Sequence, residues 1–394
     1  MMRKLSRCVH QPAVSHDGFV SLVSATHRAS TIAFKTAQDY RDRKNRGPDG
    51  YSYGLNGTPT SRGLEAQLAS LEGTSHCILM PSGMSAISLI ALSVLGQGDR
   101  ILIPDTVYPP VKKFCASFLS GMGIAHDIYH ADGRDLENLV GPDVRLIWTE
   151  SPGSTTMEVQ DLRAVAAIAR RHGILTGCDN TWATPLLLQP LALGIDFSMQ
   201  ALTKYAGGHS DILMGSVSVA DSALHARLRE TRSTLGIGVS PDDCSLVLRG
   251  LSTMGVRIAH AGRVGLALAR HLKEYACVLR VLHPAFPECE GHSIWERDAS
   301  GYTGTFSVEV RTPSPAVLDD AIAQARLFTI GASWGGTHSL IAPMTVDDTR
   351  KWPPTPGVTY IRLSIGLEDE RDLREDLERI FGRLGETLAS AAAQ

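Results

Sequence analysis

The chain has seven cysteines, Cys8, Cys77, Cys115, Cys178, Cys244, Cys277 and Cys289, but no Cys-x-x-Cys pair. Scattered and odd in number, they argue against a disulfide framework or a zinc site. The expectation is reduced thiols in a cytoplasmic protein with no metal. An excess of one charge is also missing. Thirty-eight Lys and Arg against 41 Asp and Glu leave a formal net charge of -3, with no electrostatic footprint for nucleic acid or a membrane surface. No apolar run reaches membrane-spanning length, since the best candidate, 86–95, is short and carries Ser88 and Ser93. Arg3, Lys4 and Arg7 are not followed by an apolar stretch, so no secretory signal is expected. Internal repeats are absent, as are low-complexity tracts beyond Ala391-Ala392-Ala393.

What is present is an ordinary globular composition, 43% hydrophobic and 20% charged over 394 residues, enough for one large domain and one smaller one. Residues 1–60 mix short apolar pieces with Gly, Pro and charge. They read as an N-terminal arm that packs on the main body or on a neighbouring subunit. From Ser61, a candidate N-cap, helix and strand patterns alternate. The apolar strands are Cys77–Met80, Arg100–Pro104, Val144–Thr149, Ile174–Cys178, Phe197–Ala201 and Leu213–Val219. Such alternation predicts an α/β domain over 61–245 with a mostly parallel sheet and its loops gathered at the strand C-termini. Over 246–394 the pattern changes to α+β. A long helix is expected over 245–275, with Gly250, Gly255 and Gly262 as weak points. Strands follow at 304–310 and 360–365, and a charged helix at 368–384.

Two residues at strand ends suggest the chemistry. Asp179 closes the apolar run 174–178, and Lys204 stands between the run 197–201 and the Gly-rich turn Ala206-Gly207-Gly208. A lone Lys is ordinarily a solvated charge and a lone Asp ordinarily a cap. A lysine held against a sheet loses solvation, which lowers its pKa and makes its amine a nucleophile and proton carrier. A buried carboxylate at the neighbouring strand end can keep a pyridine nitrogen protonated. Together they describe a site for pyridoxal 5'-phosphate (PLP). Ser82-Gly83-Met84, where a strand turns into a helix, offers free backbone N–H groups for a phosphate, or is an ordinary turn. Tyr108 either stacks on the cofactor ring or is a half-buried loop tyrosine. Arg362, in an otherwise apolar strand, needs an anionic partner: a substrate carboxylate or an internal ion pair.

Six stretches in order carry a resemblance over nearly the whole chain. They are Tyr53-Gly54-Leu55-Asn56-Gly57-Thr58-Pro59-Thr60, Pro81-Ser82-Gly83-Met84, Asp179-Asn180-Thr181-Trp182-Ala183-Thr184-Pro185, Thr203-Lys204-Tyr205 with Gly208-His209-Ser210-Asp211, Ser333-Trp334-Gly335-Gly336, and Arg362 through Asp369. The chain resembles the Cys/Met-metabolism family of PLP enzymes. This implies a PLP-dependent transferase fold of the aspartate-aminotransferase type: a large domain on a mostly parallel seven-stranded sheet and a smaller α+β C-terminal domain. The resemblance implies Lys204 as the Schiff-base and proton-transfer lysine, Asp179 on the ring nitrogen and Tyr108 stacked on the ring. It implies phosphate binding by Gly83, Met84 and Thr203, with Tyr53 reaching the phosphate of the neighbouring subunit. Ser333 and Arg362 would hold the substrate carboxylate. A homotetramer, a dimer of dimers, is the usual assembly.

Within the family the chain is most similar to the bacterial cystathionine β-lyase branch, because Trp334 stands where γ-lyases and γ-synthases usually have leucine. The implied reaction is carbon–sulfur β-cleavage of L-cystathionine to homocysteine, pyruvate and ammonia, a step of methionine biosynthesis. The alternatives are β-lysis of another cysteine thioether, and a γ-lyase or γ-synthase. Three departures stand out: Leu55 where many relatives have a phosphate-binding arginine, with Arg62 as a nearby substitute; Ala332 where they often have Tyr or Glu; and Thr337-His338-Ser339-Leu340 after the double glycine. Replacing Lys204 with Ala is expected to abolish turnover; full activity in a steady-state assay of purified K204A would overturn its assignment.

Overall fold

The computed structural model describes residues 17–46, 50–311, 314–346, 350–352 and 358–392. Two sheets organise them. The larger has seven strands: β1 (His76–Met80), β2 (Arg100–Pro104), β3 (Ala125–Tyr129), β4 (Val144–Glu150), β5 (Leu175–Asp179), β6 (Phe197–Ala201) and β7 (Gly215–Val219). Their order is β1-β7-β6-β5-β4-β2-β3, and β7 alone runs antiparallel to its neighbours. The sheet is therefore mostly parallel, as expected. Parallel strands need crossovers, so their carboxyl ends all open on one edge, where ligand sites form. That edge collects Glu150, Asp179 and the 201–205 turn. The sheet interior is packed to contact: a Cβ on Gly177 of β5 would come within 2.6 Å of the Trp148 ring on β4.

The edge strand β3 had no apolar signature. His126 and Asp127 break its pattern, and its first four residues are not buried. It pairs with β2 on one side only, so it does not need two apolar faces.

The second sheet has the order β10-β11-β12-β9-β8, with β8 Val278–Leu282, β9 Thr305–Arg311, β10 Thr329–Ile330, β11 Leu340–Met344 and β12 Val358–Ser364. Its apolar face, including Phe306, Val308, Ile361 and Leu363, packs with Leu373, Leu377 and Phe381 of the terminal helix Glu370–Ala392.

Helix starts differ from expectation for a capping reason. The first long helix spans Pro59–Leu71 and its cap is Thr58 rather than Ser61. Ser61 is the reciprocal partner, its hydroxyl accepting the Thr58 N–H at 2.9 Å, and Pro59 occupies the first turn where no N–H is needed. The long helix runs Pro241–Leu272, capped by Ser240, and passes unbroken through residues 245 and 246.

Two of the glycines within that helix are points of close approach. A Cβ on Gly250 would overlap the carbonyl oxygens of Ala206 and Gly207, and one on Gly262 the carbonyl of Tyr302; one on Gly255 meets only Leu186, at 4.0 Å. The helix thus lies directly on the backbone of the lysine loop. G250A is expected to lower stability by about 1–3 kcal/mol through overpacking. G255A, with Ala's better helix propensity and no such contact, leaves it at or above wild type; equal urea midpoints for the two variants would refute the contact.

Candidate functional site

At the carboxyl edge of the large sheet lies a cavity of about 270 Å³. Its lining includes Gly83, Met84, Tyr108, Asp179, Thr203, Lys204, Trp334 and Arg362, so the protomer brings eight of the residues proposed from sequence to one place. Ser333 joins them through Lys204, whose Nζ donates to its hydroxyl at 2.7 Å. Tyr53 does not line the cavity of its own protomer; it is 51% exposed and precedes the turn Gly54–Asn56.

The floor is the start of the helix Gly83–Val94. Ser82 and Ser85 form a capping box. This leaves the Gly83 and Met84 amides without a partner among the described residues. Unpaired amides at the positive end of a 12-residue helix suit a phosphate. Gly83 is required because a Cβ there would come within 2.7 Å of the Ala201 side chain. Thr203 lies alongside, its hydroxyl shared with the Met214 backbone.

Lys204 follows β6. Burial, reinforced by the positive charge of Arg362 and opposed by Asp179, brings its ammonium down to about 8. Its Nζ stands 5.2 Å from the Trp334 ring centre, and that ring packs on Tyr205 at 5.4 Å. The Ser333–Gly336 turn reaches this position only because it is glycine-rich. Gly335 has φ +81°, and a Cβ on it would lie 3.0 Å from the Tyr205 nitrogen. Arg362, on β12, donates to the Ala332 carbonyl at 2.5 Å. It forms no ion pair among the described residues, which leaves the rest of its guanidinium for an anion in the cavity.

Asp179 accepts the Thr181 N–H at 2.9 Å. Burial pushes its carboxyl up, while the Thr181 bonds and Lys204 pull it back. A protonated ring nitrogen would add the opposite charge that favours the carboxylate. The Tyr108 phenol is raised by burial and by Glu150 and Asp179, so it keeps its proton at neutral pH. Free amides, a desolvated amine and a buried carboxylate on adjacent walls fit PLP.

On the wall that Pro152, Gly153 and Ser154 share, Thr155 and Met157 escaped the sequence reading. Thr155 (φ 69°) and Met157 (φ 64°) hold left-handed backbone that is unfavourable for a β-branched or long side chain, and both line the cavity. Glu150 escaped as well, although it closes an apolar strand just as Asp179 does. Arg62, considered as a substitute for the missing arginine at Leu55, is engaged by Glu65 at 2.7 Å and by the Asn56 carbonyl at 2.5 Å.

The family model for the Cys/Met metabolism PLP-dependent enzyme matches residues 6–382. A cystathionine beta-lyase of Bordetella avium is 40% identical over 362 residues, covering 90% of this chain and 91% of its own. A cystathionine gamma-lyase of Homo sapiens is 36% identical over 340 residues, 84% of this chain and 83% of its own. Among solved structures, cystathionine gamma synthase from Xanthomonas oryzae pv. oryzae in complex with cystathionine superposes with a TM-score of 0.87 at 30% identity. It covers 94% of this chain and 95% of its own.

A Lys204 amine that loses its proton near 8 predicts how the cofactor-free protein takes up PLP. Only the neutral amine attacks, so the second-order rate rises with pH up to about 8 and levels off above it. R362L removes a charge that disfavours the ammonium, so its profile moves to higher pH; a stopped-flow profile unmoved in R362L would contradict the coupling.

Proposed function

We propose carbon–sulfur β-lyase activity on L-cystathionine for this chain, which belongs to the Cys/Met metabolism family of PLP-dependent enzymes. The observation that carries the reading is the Lys204 amine, desolvated and bonded to Ser333 beside Trp334. Arg362 and Ser333 hold the substrate carboxylate, which places Cα next to Lys204. Lys204 Nζ takes the Cα proton; the C–S bond then breaks with its electron pair on sulfur. When bound, PLP supplies the electron sink that stabilises charge at Cα. Asp179 keeps the ring nitrogen protonated, Tyr108 packs on the ring, and Gly83, Met84 and Thr203 seat the phosphate. The sulfur takes up a proton and leaves as homocysteine, and the released three-carbon enamine takes up one water to give pyruvate and ammonia, as a methionine-forming route requires.

Tyr53, outside its own cavity and half exposed, acts on the cofactor phosphate of a neighbouring subunit in a cytoplasmic homotetramer. Residues 1–60 form the arm, 61–245 the cofactor domain and 246–394 the small domain.

Two alternatives have specific support. Similarity to a γ-lyase and a γ-synthase favours γ-cleavage. A small Ala332 and a 69% exposed Leu213 on the cavity wall favour another cysteine thioether. An endpoint assay of the PLP-loaded protein with L-cystathionine separates them. Pyruvate with homocysteine is the expected outcome. 2-Oxobutyrate with cysteine establishes γ-cleavage, and no turnover despite bound PLP moves the substrate to another thioether.

A further inference from the structure

We propose that Glu150 is a positioning residue for Tyr108: its carboxyl accepts the Tyr108 backbone N–H and thereby fixes where the aromatic ring stands on the cavity wall.

The Tyr108 ring has little else to hold it. It is 45% exposed, and its hydroxyl has no hydrogen-bond partner among the described residues. Its place is therefore set through the backbone. Pro109 follows and confines Tyr108 to extended ψ, found at 121°. Pro109 and Pro110 have no N–H, so Tyr108 supplies the sole amide donor of residues 108–110. That donor goes to Glu150 Oε2 at 2.7 Å. The Tyr108 carbonyl takes the Val111 N–H at 2.8 Å, which starts the short helix beyond.

Glu150 is itself rigidly seated. It ends β4, and its own N–H donates to Gln160 Oε1 at 3.0 Å. The Gln160 amide nitrogen is locked in turn by the Tyr129 hydroxyl and the Ala131 carbonyl, each at 3.1 Å. A chain of hydrogen bonds, buried at its Gln160 end, thus runs from the sheet to the one amide that orients the ring.

The charge state of Glu150 follows from its neighbours. Glu150 and Asp179 are partners in register on adjacent parallel strands. Two buried carboxylates so placed repel each other, and only one is needed at a ring nitrogen. Burial, then Asp179, pushes the Glu150 carboxyl well above its ordinary range, against weaker pulls from the Tyr108 N–H and Arg350. That shift favours the neutral acid beside Asp179, and Oε2 accepts from Tyr108. Glutamine keeps an acceptor oxygen at that position without a carboxylate charge, which makes it the discriminating substitution.

This inference rests on PLP binding, not on the choice between β- and γ-cleavage, and its first readout needs no substrate. Visible-region circular dichroism of bound PLP reports the asymmetric surroundings of the ring. E150M, similar in size but without an acceptor, is expected to change that signal and to lower kcat about tenfold with little change in KM, the scale of one lost hydrogen bond. E150Q restores both. In a Y108A background E150M causes no further loss, because the group it acts through is gone. Should E150M fail to accumulate as folded protein, E150A serves in the same comparison. Additive losses in the double variant, or E150Q as impaired as E150M, would overturn the proposal. A changed dichroism signal in E150M with restoration in E150Q upholds it even if L-cystathionine is not the substrate.

Discussion

An amine held out of water between a carboxylate and a guanidinium is the constraint around which this protein is arranged. Lys204 is supplied by the loop after β6, Asp179 by the end of β5, and Arg362 by the second sheet. Burial and Arg362 favour the neutral amine, while Asp179 alone opposes them. Keeping three ionisable groups in one small cavity is costly unless each has a defined partner. Thr181 supplies one for Asp179, Ser333 for Lys204 and the Ala332 carbonyl for Arg362.

Close backbone approach is what brings the two sheets to the same cavity. The Ser333–Gly336 turn rests on the Tyr205 nitrogen, and the long helix rests on the carbonyls of Ala206 and Gly207 through Gly250. The lysine loop is thus gripped from two sides by the C-terminal half of the chain. The segment 350–352 adds a third attachment: the Lys351 and Trp352 amides donate to Asp105 at 2.9 and 3.2 Å, a short distance along the chain from Tyr108. The pocket walls are positioned by backbone contacts more than by side-chain packing, which explains how Tyr108 and Leu213 can be exposed and still belong to a defined site.

The sheet that positions these groups was readable because buried parallel strands are continuous apolar runs, and all six runs identified end within one residue of the strand ends. The edge strand β3 was not, because pairing on one side tolerates His126 and Asp127. The first helix start was misplaced because Thr58 and Ser61 share one capping box, and either alone looks like a cap. Glu150 carried the same signal as Asp179, a carboxylate after an apolar run. Its use became visible only with β4 and β5 in register and the Tyr108 amide at hand.

The sequence by itself determined which chemical groups stand at the strand and helix ends: an amine at Lys204, a carboxylate at Asp179, a side-chain-free helix start at Gly83. Each follows from residue type and from local periodicity, which the chain carries along its length. Only the tertiary structure decided their states and pairings: Lys204 against Ser333 of the C-terminal half, Glu150 beside Asp179, and Arg62 turned to Glu65 rather than left for a phosphate. The physical reason is that desolvation and Coulomb energy depend on distances between segments remote in sequence, and those distances exist only once the sheets have packed.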